Sequence, residues 1–215
     1  MEQGVDVAIS YRLRVDHGTT IPILKLGGSL DRYPVLPIVI NCAADPRPSF
    51  RRVRELGAAV GRYLGKLGNR IVIVASGGLS HDPPTPRLLQ SPPAVAKRLI
   101  DRHTPTEEEL KQRQERVIAA CRALVRGEGP MLPPSERWDR AFIRSLLEQD
   151  LDVFDAWIDK ELDREAGFGG HEVRCWVAAF AAMKAAGNFS AEERFYAAIP
   201  EWATGMAIVV GKHDG

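Results

Sequence analysis

The sequence predicts an α/β domain, and three observations carry that expectation. Short β-branched runs at 5–10, 35–41 and 71–75 alternate with segments whose apolar residues recur at helical spacing. Glycine and proline clusters punctuate the boundaries between them. The chain has 215 residues, 45% of them hydrophobic, enough to bury one core in a single domain spanning 1–215.

Taken in order, residues 5–10 read as a strand that leads to Val15-Asp16-His17-Gly18. A second strand over 35–41 is bounded by Pro34 and interrupted by Pro37. Val53, Leu56, Val60 and Leu64 then mark one face of an amphipathic helix over about 50–67, with Arg51, Arg52 and Arg54 on its solvated side. Gly68-Asn69 stops that helix, and the apolar run Ile71-Val72-Ile73-Val74-Ala75 predicts a buried strand. Five prolines between 83 and 93 predict a stiff irregular loop. Thr106 followed by Glu107, Glu108 and Glu109 is a helix-capping signal, and Leu110, Val117, Ile118, Cys121, Leu124 and Val125 supply that helix's apolar face. Two further helices are expected over 138–147 and 151–162, then a turn at Gly167-Phe168-Gly169-Gly170. A last helix buries Val173, Trp176, Val177 and Phe180.

Charge and cysteine usage exclude several function classes. Lys and Arg total 29 against 28 acidic residues, a net charge of +1, which offers no electrostatic footprint for nucleic acid or a membrane surface. No apolar run has the length of a bilayer span, and the N-terminus shows no secretory pattern. Cys42, Cys121 and Cys175 form an odd set without CxxC spacing, as expected for reduced thiols in a cytoplasmic protein.

The chemistry concentrates at Gly77-Gly78-Leu79-Ser80-His81-Asp82-Pro83-Pro84, at the carboxyl end of the third predicted strand, where open α/β sheets bind ligands. The glycines permit close backbone approach, the prolines forbid an immediate helix, and His81 supplies a group suited to acid–base work near neutrality. His17 has a similar setting, and two such imidazoles facing one cavity would serve as paired acid and base. His103 and His213 lie in polar surroundings and read as inert. Glu172 stands one turn before Trp176 and can point to the same side; complementing the helix dipole is its ordinary alternative. The segment lacks the second histidine of HExxH, and the chain has neither a Walker loop nor a GxGxxG fingerprint. A hydrolase built on Ser76 or Ser80 lacks the G-x-S-x-G elbow and ranks last.

These stretches, together with Val35-Leu36-Pro37-Ile38, Gln114-Glu115-Arg116-Val117-Ile118, His171-Glu172, Trp176 to Ala182 and Ile199-Pro200-Glu201-Trp202, make the chain resemble the class III extradiol catechol dioxygenases of the LigB superfamily. The resemblance implies a central mixed sheet flanked by helices, with a helical C-terminal portion. It implies an iron(II) enzyme of aromatic catabolism that opens a catechol ring with O₂ and forms homo-oligomers. By motif, His17 falls on the proton donor, His81 on the proton acceptor and Glu172 on the iron-binding carboxylate. It also places two iron-binding histidines ahead of the strand that leads to His17. None of the five histidines matches them, so the domain is expected to be N-terminally incomplete. A diverged, non-catalytic homologue acting as a binding or oligomerisation partner is the alternative.

Overall fold

The computed structural model describes residues 4–101 and 104–213, so the expectation for His103 lies outside the described residues. Seven α-helices are described: α1 (His17–Gly27), α2 (Phe50–Leu64), α3 (Pro93–Ile100), α4 (Glu107–Val125), α5 (Glu136–Leu147), α6 (Asp159–Ala166) and α7 (Val173–Ala186). An antiparallel hairpin, β1 (Phe189–Ile199) and β2 (Thr204–His213), closes the described chain. Short 3₁₀ turns at Leu88–Gln90, Asp152–Ala156, Phe168–Glu172 and Pro200–Trp202 join these elements.

Helix α2 begins where Ser49 accepts the Arg52 N–H, and it packs along α7 with unusually little between the backbones. A Cβ built on Gly57 or Gly61 would stand 2.1 or 2.0 Å from the carbonyl oxygens of Ala178 and Ala182. This small-residue seam lets Phe50 and Val53 meet Phe142, Phe154, Trp176 and Val177 in one core. Trp157, partly buried, completes the aromatic cluster, with its ring 4.8 Å from that of Phe154. Arg54 is not simply solvated, as expected: it pairs with Asp155 and Asp152 and so docks α2 on the 3₁₀ turn. The Thr106 capping box forms as predicted, with reciprocal bonds to Glu109.

Helix and sheet both occur, in keeping with the α/β class, but the pairing differs from the expected central mixed sheet. Among the described residues the one ladder is β1–β2, with a bulge at Arg194. The segments 5–10, 35–41 and 71–75 run without ladder partners, leaving Val7, Ile9, Ile38, Val39, Val72 and Val74 exposed. β-Propensity expresses how well a side chain fits a pleated neighbour, and without a neighbour it forms no strand. The hairpin, by contrast, closes locally: its turn puts Ala203 at φ +53° and brings Ile199 opposite Thr204. The expected helix over 151–162 is broken at Trp157 into a 3₁₀ turn and α6. His17, expected on a loop, is the first residue of α1.

Candidate active site

His81 is held by backbone on three sides. Its N–H donates to the Ala166 carbonyl at 2.8 Å, its own carbonyl accepts from the Gly169 N–H at 2.9 Å, and it bridges to Thr204 at the start of β2. The imidazole lies against glycine: a Cβ on Gly169 would come within 2.1 Å of Nε2, and one on Gly78 within 2.6 Å of Cε1. Gly169, which sequence reading treated only as part of a turn, therefore forms a wall of the site, while Gly170 packs against Ala166 and Leu162 of α6. His81 Nδ1 lies 2.8 Å from the Leu79 carbonyl. A carbonyl only accepts, so Nδ1 carries the hydrogen and the Nε2 lone pair of the neutral ring is left to receive a proton.

Nε2 faces Glu172, whose Oε1 is 3.8 Å away. Glu172 ends the 3₁₀ turn ahead of α7, and its Oε2 accepts the Gly78 N–H at 2.7 Å. Four residues on, Trp176 Nε1–H donates to the Gly77 carbonyl at 3.0 Å, so Glu172 and the first turn of α7 hold both the N–H and the C=O of the Gly77–Gly78 peptide. Glu172 and Trp176 thus share a side, although the Glu172 side chain keeps 44% of its exposure. Gly77 cannot be replaced simply, since a Cβ there would meet the Glu172 carbonyl at 2.7 Å.

His17 is exposed at the start of α1, which lies beside the same loop: a Cβ on Gly18 would be 3.7 Å from Ser76 Oγ. The thiols of Cys42 and Cys175 interact with each other: that interaction, and then burial, push the Cys42 thiol up, while for Cys175 the same interaction lowers the thiol against the opposing effect of burial. His171 turns away from Glu172 into the interior. Its Nε2 meets Asp163 Oδ1 at 2.8 Å and its Nδ1 meets Arg174 at 2.6 Å. Burial drives its pKa down, and Asp163 pulls against that. Arg174 is fully buried and ties α7 to Asp159 and to the Pro48 carbonyl. His213 hydrogen-bonds the Asn188 carbonyl at the far end of the hairpin.

Ser80 is 0% exposed, bonded to Asp139 and to the Ser135 N–H, which removes it as a nucleophile. Asp139 escaped sequence reading. Its signal was a carboxylate one turn ahead of Phe142 and Ile143, on the apolar face of α5.

An iron site of the facial-triad type needs two imidazoles and a carboxylate on one face. Among the described residues no three His, Cys, Asp or Glu side chains gather as a metal-holding group, so these residues do not by themselves fit the ion. No described helix is long and apolar enough to cross a membrane. A concavity of about 430 Å³ lies between the end of α4 and Pro200-Glu201, and none of His17, His81 or Glu172 lines it.

Comparison with known proteins places this geometry in context. Residues 1–207 match the model of a family described as the catalytic LigB subunit of aromatic ring-opening dioxygenase. A Paraburkholderia xenovorans protein named 2,3-dihydroxyphenylpropionate/2,3-dihydroxicinnamic acid 1,2-dioxygenase is 47% identical over 198 residues, which cover 92% of this chain and 63% of the relative. Proteins of the same name from Photorhabdus laumondii and a Mycobacterium species are 44% and 45% identical, each covering 97% of this chain and 66% of its own length. The chain thus spans about two-thirds of the length of these curated relatives.

Proposed function

We propose, from the premise that this chain belongs to the LigB family of aromatic ring-opening dioxygenases, that it takes part in extradiol cleavage of 2,3-dihydroxyphenylpropionate or 2,3-dihydroxycinnamate with O₂. The observation that carries the reading is the fixed orientation of His81. Its Nδ1–H is committed to a backbone carbonyl, so Nε2 is presented as a base beside Glu172.

In this reading a catechol hydroxyl delivers its proton to His81 Nε2, and the Glu172 carboxylate 3.8 Å away stabilises the imidazolium that results. The Leu79 carbonyl holds the ring in one orientation throughout, and Gly78 and Gly169 lie close against it. His17, at the exposed start of α1, returns a proton as the ring opens. Glu172 is the one carboxylate this chain would contribute to an iron(II) site, which would need two imidazoles beyond the groups gathered among the described residues and would supply dioxygen activation. The enzyme is proposed to work as a homo-oligomer.

The test is ring cleavage by the chain reconstituted anaerobically with iron(II), then given 2,3-dihydroxyphenylpropionate and oxygen. The expected result is a yellow ring-opened product, reduced about 10²–10⁴-fold in His81→Ala and His17→Ala. A folded protein that neither binds iron nor turns over the catechol refutes the reading.

A further inference from the structure

We propose that Asp139 is the positioning residue of His81, an assignment that rests on His81 being the proton acceptor. Asp139 lies on the buried face of α5 and is 0% exposed, yet no cation pairs with it among the described residues. Its two oxygens are instead filled by three hydrogen-bond donors. Oδ1 accepts the Ser80 N–H at 2.8 Å; Oδ2 accepts the Ser80 hydroxyl and the Tyr196 hydroxyl, each at 2.9 Å. Ser80 Oγ in turn accepts the Ser135 N–H at 2.7 Å, which commits its own hydrogen to Asp139.

Two of the three bonds go to the residue immediately before His81. The Ser80 carbonyl is taken by the Gly205 N–H at 2.9 Å, so every polar group of Ser80 is fixed. The His81 ring bonds back to the Leu79 carbonyl, across Ser80, and that contact exists only while the Leu79-Ser80-His81 turn keeps its shape. Gly205 presses on the same carboxylate: a Cβ there would stand 2.0 Å from Asp139 Oδ2. A buried carboxylate is costly to retain where apolar packing would serve, and here its bonds converge on the turn that aims one imidazole. Burial pushes the Asp139 pKa up, and the bonds from Ser80 and Tyr196 hold it down.

The experiment is long-range ¹H–¹⁵N imidazole NMR on the full chain, with the His81 signals assigned by their loss in His81→Gln. The wild type is expected to show one neutral tautomer, hydrogen on Nδ1. Asp139→Asn keeps the shape but cannot accept from all three donors, and it should lose the single-tautomer pattern. Tyr196→Phe removes a bond that does not touch Ser80, so it should lower stability and leave the His81 pattern intact. An unchanged pattern in folded Asp139→Asn overturns the proposal, as does an equal disturbance in Tyr196→Phe, which would mean general loosening. Should Asp139→Asn fail to fold, Ser80→Ala decides by the same criterion. The readout needs neither metal nor substrate. If His81 is not the base, that appears separately, as undiminished ring cleavage in His81→Ala.

Discussion

Replacing Gly61 by Ala tests the contact on which the α2–α7 pair, and with it the seat of Glu172, depends. In an exposed helix the change would be favourable by about 0.8–1.0 kcal/mol, because glycine loses more backbone freedom than alanine. Here the new methyl would lie 2.0 Å from the Ala182 carbonyl oxygen and 2.8 Å from its Cα, whereas ordinary contact begins near 3.4 Å. The helices must therefore part by about 1.4 Å, and both sides of the clash are backbone, so no rotamer change can relieve it. Overpacking of this kind costs about 1–3 kcal/mol, and the upper end applies where nothing flexible yields. The net loss should be about 2 kcal/mol, or about 4–8 °C in Tm for a chain of this size. Urea and thermal unfolding followed by circular dichroism measure it. Gly65→Ala, one turn on, is the internal control: its methyl would meet its nearest neighbours at 3.4 and 3.6 Å, so it should be neutral or stabilising. If Gly61→Ala matches or exceeds the wild type, the two backbones are not in contact and the account of the seam is wrong.

Three other outcomes follow from the same geometry. Gly169→Ala would drive a methyl to 2.1 Å from His81 Nε2, and a ring displaced by about an ångström should cost on the order of 10² in kcat/KM for the catechol; unaltered kinetics would remove the glycine wall from the argument. Burial alone would raise the Asp159 pKa, but Arg174 and Arg47 outweigh it and hold it below the usual range. Its contribution to stability is thus present above the unfolded-state value and is lost as pH falls through the folded one. The stability gap between wild type and Asp159→Asn should accordingly narrow on acidification, and a gap that is constant or widens rejects this sign. Thr106→Ala should cost about 1 kcal/mol through loss of the α4 capping box while leaving the His81 tautomer untouched.

Much of the site was legible because its reasons are local. The Gly77-Gly78 pair announced close approach, and the structure supplies the neighbours: the Glu172 backbone against one glycine and the His81 ring against the other. The helical spacing of Glu172 and Trp176 foretold a shared side, and both grip that one peptide. The capping box at Thr106 and the apolar face of α2 could be read for the same reason, since each is decided within a turn or two of chain.

What the sequence could not settle is whatever depends on a partner distant in the chain. The β-branched runs at 5–10, 35–41 and 71–75 carry strand propensity, but a ladder needs a second backbone, and none of the described residues supplies it. That Asp139 meets Ser80 across 59 residues, that Gly169 forms a wall of His81, and that His171 turns inward to Asp163 and Arg174 while its neighbour Glu172 faces the loop are likewise decided by packing. Composition and spacing by themselves determined which residue types were available for acid–base chemistry and the helices that became α2, α4, α5 and α7, but not α1 or α3. Only the tertiary structure decided which nitrogen of the His81 ring faces Glu172 rather than backbone, because Nδ1 meets the Leu79 carbonyl in a turn whose Ser80 N–H is bonded to buried Asp139 of α5.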